Sequence, residues 1–274
     1  MIAITEWTMR RNRAPLATIR QSLRRAVAVL SLAVSAGGAS GAAAQTETLP
    51  DEQARVIVQK ADEIRFPTQG FEVTVRIRSS EGGAEGDTRQ YKVLSKGNDS
   101  SIVMTLAPAA ERGQMLLMKG RDLWLFVPNV SQPVRLSLAQ RLTGLVANGD
   151  IARANFSGDY NARVIGSEKI DGQAYYVLDL IAADRGTTYP RVKYWVRQAD
   201  FFPFKAEFYS LSDRLLKTCV YDSYKPLGGR TRPTRLVMTD ALKADSQSVM
   251  EYSDMRNRDL PDKVFTKEYL KKLE

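Results

Sequence analysis

From Phe71 onward the chain alternates apolar and polar positions in short runs. In Phe71-Glu72-Val73-Thr74-Val75-Arg76-Ile77-Arg78, one side carries Phe71, Val73, Val75 and Ile77, and the other Glu72, Thr74, Arg76 and Arg78. That period of two predicts a half-buried β-strand. Glu81 to Asp87, rich in glycine, reads as a turn. Further strands are predicted over 88–95, 100–107, 112–118, 122–128, 133–137, 159–168, 173–181, 188–197, 202–209, 214–222, 231–240 and 247–254. Each is bounded by Gly, Pro, Asn or Asp, with the spacing of antiparallel neighbours.

One stretch breaks the alternation. Met115-Leu116-Leu117-Met118 and Leu123-Trp124-Leu125-Phe126-Val127 flank the polar turn Lys119-Gly120-Arg121-Asp122. This predicts a hairpin that is apolar on both faces, whereas a sheet with one solvated face should alternate. Either protein covers both faces, or one face lines something apolar that is not protein, such as a lipid cavity.

Period 3.6 appears in three places. Ala54, Ile57, Val58, Ala61 and Ile64 predict a helix from Asp51 to Phe66, started by Pro50-Asp51 and stopped by Pro67. Leu138, Leu142, Leu145 and Val146 predict a short amphipathic helix over Leu138 to Asp150. Phe265, Tyr269, Leu270 and Leu273 predict another over Asp262 to Leu273. Both are expected to lie across an open end of the sheet.

The N-terminus changes the picture of compartment. Six arginines and the single acid Glu6 precede the apolar run Ala26 to Val34, and Ala42-Ala43-Ala44 follows before Gln45. That order is a secretory signal with cleavage after Ala44. The run is short for a membrane span of about 20 residues, and an uncleaved anchor is the other reading. Met9 is an alternative start, and the choice between general and twin-arginine export stays open. The mature protein, residues 45–274, is then expected to be a single soluble periplasmic domain, without a cysteine near the cleavage site to acylate. Without the leader the formal charge falls from +9 to +4. No basic block with interleaved aromatics points to nucleic acid.

The chemistry is sparse. The chain has no histidine, the commonest general base and metal ligand, and one cysteine, Cys219 in a predicted strand. Cys219 is expected to be a buried small hydrophobe. There is no GxSxG, phosphate loop or strand-linked GxGxxG. The sequence reads as a binding protein and not an enzyme, with no cofactor and no metal.

Several segments carry a resemblance. These are Arg112-Gly113, the hairpin Gly120 to Asn129 with its Trp-x-aromatic-x-Pro strand, Asp171 to Leu178, Tyr194-Trp195-Val196, and the turn Phe202-Pro203-Phe204-Lys205-Ala206. Together they resemble the bacterial outer-membrane lipoprotein-sorting proteins, the LolA-like family, over roughly residues 51–273. The resemblance implies a mainly β (α+β) fold, an antiparallel sheet curled into a half-open, incomplete barrel with helices as lid. It implies an apolar cavity for acyl chains of lipoproteins or other lipids, carried across the periplasm toward the outer membrane by what is read as a monomer in transient contact with membranes.

The residues assigned to the cavity wall are Val75, Ile77, Met104, Leu116, Met118, Trp124, Phe126 and Tyr194, with simple core as the other reading of each. Arg76 and Arg78 are the candidates for contact with the lid. A lipid-sensing module working with an inner-membrane transporter of the resistance-nodulation type is the alternative function, and metal-free small-molecule chemistry in the cavity is a third.

Overall fold

The computed structural model describes residues 51–270, so the leader read over residues 1–44 lies outside the described residues. Helix α1 (Asp51–Arg65) forms where its apolar spacing places it and ends before Pro67. Six strands follow by successive hairpins: β1 (Phe71–Glu81), β2 (Ala84–Lys96), β3 (Ser100–Ala107), β4 (Met115–Lys119), β5 (Asp122–Phe126) and β6 (Val134–Leu136). Residues 137–159 then cross to a second run. That run is β9 (Tyr160–Ile170), β10 (Gln173–Ala182), β11 (Arg191–Arg197), β12 (Pro203–Tyr209), β13 (Leu215–Leu227), β14 (Arg230–Asp240) and β15 (Gln247–Asn257). The crossing segment itself holds a small hairpin, β7 (Arg141–Thr143) and β8 (Val146–Ala147), and helix α2 (Asn148–Ala152). A 3₁₀ turn (Asp262–Val264) and α3 (Lys267–Leu270) end the described chain.

All thirteen long-path strands form one antiparallel sheet, ordered β6-β5-β4-β3-β2-β1-β15-β14-β13-β12-β11-β10-β9. Every neighbour in that order is consecutive in sequence except β1 and β15, which seal the two runs together. β6 and β9 are left as edges, so the sheet is not closed into a barrel. Flat, twelve inter-strand steps would separate those edges by roughly 58 Å. The crossing segment doubles back in β7–β8 and coils in α2, leaving a reach of roughly 45 Å. The sheet must therefore curl. Arg121, at the β4–β5 turn, shows how far: it pairs with Asp159, just before β9, at 3.1 Å, and with Asp184, beyond β10.

The expected strands are all present, the largest extensions being in β2 and β13. Two helix expectations change. Leu138 to Asp150 is a hairpin followed by α2 and not one helix, because Gly144 takes a left-handed φ of 50° and turns the chain. A Cβ there would sit 2.1 Å from Ser79 Oγ, so only glycine lets this tip reach the sheet. Leu138 and Val146 are buried all the same, which shows why apolar spacing over a short run does not separate a helix from a hairpin. At the C-terminus the helix expected over Asp262 to Leu273 is, within the described residues, a 3₁₀ turn and α3 broken at Phe265-Thr266, and it does not lie across an open end; Leu273 lies outside the described residues.

The tail lies instead on the convex face. Register places Ile102, Leu117 and Trp124 in one row and Met104, Met115 and Phe126 in the next. Leu260, Val264, Phe265 and Leu270 pack on these rows, and Lys267 Nζ sits 4.9 Å from the Trp124 ring centroid. The doubly apolar hairpin is thus covered by protein on both sides: by this strap outside, and by the main core inside through Leu116, Met118 and Leu123. Phe265 is 1% exposed. Truncating it in Phe265→Ala is expected to cost about 3–5 kcal/mol, read as a lower guanidinium midpoint with unchanged slope.

Candidate functional site

The concave face is a continuous apolar wall. Along it, Val75 lies opposite Tyr91 and Tyr252, and Ile77 opposite Met250. Further round, Leu178 lies opposite Tyr194, which faces Ala206, and Cys219 faces Met238. No strand of the sheet covers this wall. Two other pieces do: α1, through Ala54, Ile57, Val58 and Ala61, and the crossing segment, through Leu138, Val146, Ile151 and Phe156.

The two covers are held differently. The crossing segment is fastened by buried charge. Lys217 Nζ donates to Asp150 Oδ2 at 2.7 Å and to the Leu145 carbonyl at 2.6 Å, and Tyr189 Oη donates to the same carboxylate at 2.8 Å. Within the segment Arg153 holds Asp159 through Nε at 2.5 Å and Nη2 at 2.7 Å, and the pair is tied to the β4–β5 turn by Arg153 Nη1 donating to the Gly120 carbonyl and Arg121 Nη2 donating to Asp159, each at 3.1 Å. At the hairpin tip, Leu145 N donates to Ser248 Oγ at 3.0 Å. Close approach matters here too, since a Cβ on Gly149 would fall 1.9 Å from Thr188 Oγ1.

Helix α1 is held mostly by apolar contact, with polar ties toward its C-terminal end. Asp62 accepts from Phe156 N at 2.9 Å, Ser157 N at 2.6 Å and Ser157 Oγ. Arg232 Nη1 donates to the Glu63 and Ile64 carbonyls at 2.8 and 3.0 Å, capping the last turn with positive charge. Burial and the nearby Arg230 lower Arg232 to about 10. Burial pushes the Asp62 carboxyl up, against the pull of Arg65 and Ser157. Burial also works against the Arg65 charge, but Tyr221, Tyr194 and Asp62 outweigh it and raise it above the ordinary arginine value.

Little space remains beneath the covers. Two interior voids, one between β1–β2 and residues 151–155 and one beneath residues 149–160, offer about 20 Å³ each, room for about one water apiece. A roomier apolar recess of about 160 Å³ lies where Tyr91, Val103, Leu116, Leu125 and Leu136 face Leu142 of the crossing segment. Its rim carries Arg89 paired with Glu111. Recesses of about 390 and 320 Å³ open elsewhere, one beside Arg230 and Arg232 and one beside Ser79 and Ser248.

Of the residues assigned to the cavity wall, Val75, Ile77, Leu116, Met118 and Tyr194 share the concave core. Met104, Trp124 and Phe126 do not: they pack on the convex face with the C-terminal strap. The expectation that Trp124 and Phe126 share a face with Leu116 and Met118 is overturned by register, since Leu116 faces Leu125 and Leu117 faces Trp124. Arg76 and Arg78 alternate with buried Val75 and Ile77 and so leave from the convex side, away from both covers; Arg78 Nη2 bonds Glu251 at 2.9 Å there. The groups that do fasten the covers, Asp62, Asp150, Arg153, Lys217 and Arg232, were not singled out from sequence. Their partners lie up to 169 residues away, and only a charge falling at a core-facing strand position, as Lys217 does between Leu215 and Cys219, hinted at them.

An open half-barrel whose apolar concavity is closed by a helix and a crossing segment defines a hydrophobic-cavity fold. The comparisons place the chain within it. A LolA superfamily protein from Nitrosomonas europaea is 59% identical, covering 79% of this chain and 98% of that one, with a TM-score of 0.75. A family model described only as an uncharacterized protein family matches residues 97–272. A protein from Desulfovibrio piger belonging to a domain family without assigned function is 24% identical with a TM-score of 0.70, covering 81% of this chain and 99% of that one. A domain from Vibrio parahaemolyticus described as outer membrane lipoprotein-sorting is 23% identical with a TM-score of 0.68, covering 81% and 100%. Comparison with curated proteins returns no match. The protein belongs to the LolA superfamily. Among the described residues, no helix is long and apolar enough to cross a membrane.

Cys219 reports on the covers. It is 1% exposed on the concave wall, and burial pushes its thiol up to about 12. Reaction with a disulfide reagent at pH 8 is expected to run at least about 100-fold slower in the native protein than in 6 M guanidinium; comparable rates would mean that the covers open freely.

Proposed function

We propose that this protein is an exported periplasmic carrier that takes acyl chains of lipoproteins or other lipids onto its concave wall and moves them toward the outer membrane. The observation that carries this reading is the apolar concavity closed by a helix and a crossing segment and not by the main sheet's own ladder. Membership of the LolA superfamily supports it, as does the N-terminal pattern of a secretory leader.

The described conformation is a closed one. Voids of about 20 Å³ hold no acyl chain, so loading displaces a cover. Lifting the crossing segment would strand buried Lys217 and Asp150, at about 3–5 kcal/mol for the broken pair, and would also expose Leu138, Val146, Ile151 and Phe156, about 1.5–3 kcal/mol each. Lifting the N-terminal turns of α1 exposes chiefly Ile57 and Val58, about 1.5–3 kcal/mol each, with less for Ala54 and Ala61, roughly 5–8 in all. A 14-carbon chain returns roughly 10 kcal/mol before ordering costs. The exchange of α1 for an acyl chain is therefore close to balanced. A carrier that must also release its cargo needs that balance.

Leu125 and Trp124 are adjacent, comparably buried and on opposite faces. Leu125→Asp is expected to weaken uptake of a fluorescent fatty acid at least about 10-fold, equivalent to about 1.4 kcal/mol, while Trp124→Glu binds within twofold of the parent. Circular dichroism checks that both remain folded. The opposite ranking would sink the concave wall as the lipid site, and absence of uptake by the parent would sink the carrier reading.

A further inference from the structure

We propose that Arg65 and Tyr194 form a head-group site for the acyl ligand, taking an anionic oxygen-bearing head, carboxylate or phosphate, while the chain lies on the concave wall. This rests on the carrier reading above and specifies which end of the ligand is recognised and where.

Arg65 is a buried cation with too few acceptors. It is 6% exposed, and its Nη1 donates to its carboxylate neighbour Asp62 only through a long bond of 3.4 Å. The Asp62 oxygens already accept from the backbone and hydroxyl of residues 156–157. The rest of the guanidinium meets rings: Phe156 at 4.9 Å, Tyr221 at 5.3 Å and Phe66 at 5.6 Å to the centroid. Aromatic faces attract a cation, but they accept none of the five N–H donors in the plane of the guanidinium.

Tyr194 supplies the independent observation. Its side chain is fully buried, and its hydroxyl has no hydrogen-bond partner. It belongs to the same aromatic box, its ring centroid lying 5.1 Å from Phe156 and 6.1 Å from Tyr221. A buried hydroxyl left orphaned in the same ring cluster as a guanidinium with one long hydrogen bond calls for an explanation. An anionic oxygen satisfies both groups at once: Tyr194 donates its O–H and Arg65 its free N–H groups, with no proton transferred. The small void bordered by Arg65, Phe156 and Tyr221 continues to Cys219 and Met238 on the wall, which gives the chain a direction away from the head.

The position also suits a moving cover. Arg232 ties the carbonyls of Glu63 and Ile64, next to Arg65, so the C-terminal turn of α1 stays seated when its N-terminal turns lift. Arg65 and Tyr194 are then already in place when the acyl chain displaces the helix.

The test is displacement of a bound fluorescent fatty acid by dodecanoate, dodecyl phosphate and dodecanol, each below its micelle concentration. The parent is expected to prefer at least one anion over the neutral alcohol by at least about 10-fold, the scale of a charge-assisted hydrogen-bond pair. Whichever of dodecanoate and dodecyl phosphate is stronger names the source. In Tyr194→Phe, thermal stability is expected to hold or rise, because an orphan hydroxyl is removed, while the preference for the anion shrinks several-fold. Arg65→Gln is expected to abolish it. Equal affinity for alcohol and anions in the parent, or an undiminished preference in Tyr194→Phe, would overturn the head-group site and leave the carrier reading standing. Failure of all three ligands to displace the probe would overturn both.

Discussion

A chain that runs six strands in one direction around a sheet and must resume at the opposite edge has to cross the concavity. In this fold residues 137–159 make that crossing, between β6 and β9. Much else follows from it. The crossing segment is shorter than the flat sheet is wide, so the sheet curls. Curling turns the main apolar face of the sheet toward one interior. The two edges then approach without pairing, so the interior is closed from above by the crossing segment and by α1 and not by hydrogen-bonded strands. A barrel sealed by its ladder opens only by losing backbone bonds; a concavity sealed by side-chain contact opens by exchanging one apolar surface for another.

The two covers divide that task. The buried pair Lys217–Asp150 ties the crossing segment to β13, and Arg121 at the β4–β5 turn ties it through Asp159; breaking the first strands an ion in the core. α1 has no comparable ion pair to the sheet and packs with small and branched aliphatics at its centre. Its polar ties gather at Asp62 and at the last turn, which sets a hinge at the Arg65 end. In the proposed carrier, which cover moves thus follows from where charge ties each cover to the sheet.

Much of the sheet was legible in the sequence because alternation, glycine turns and strand length are local properties. β1, with Val75 and Ile77 against Arg76 and Arg78, could be read in isolation, and so could the facing of Leu116 with Met118. The relative phase of β4 and β5 could not. Both strands are apolar on both sides, and only the pairing of Leu117 with Trp124 decides which residues look inward. The crossing segment misled for a related reason: Leu138, Leu142, Leu145 and Val146 fit a helix, but the tight approach of Gly144 to Ser79 makes the hairpin, and that contact spans 65 residues of sequence. The polar fasteners were illegible throughout, since a buried Asp62 or Lys217 reads as a solvated charge until its distant partner is placed.

The β4–β5 hairpin shows how one stretch of sequence meets two demands. Its outer side is closed for good by Leu260, Val264, Phe265 and Leu270, a strap that leaves Phe265 and Leu270 at 1% and 0% exposure. Its inner side faces the concavity and keeps a recess of about 160 Å³ between Leu116, Leu125 and Leu142. Were the convex rows of Met104, Trp124 and Phe126 uncovered, the sheet would present a second apolar face beside its short β6 edge, an invitation to self-association. Covering that face permanently leaves the concave wall as the large apolar surface that a motion of α1 can expose. The double-sided hairpin answers both alternatives posed by its sequence: protein covers each face, and the inner face is the one the proposed carrier would open.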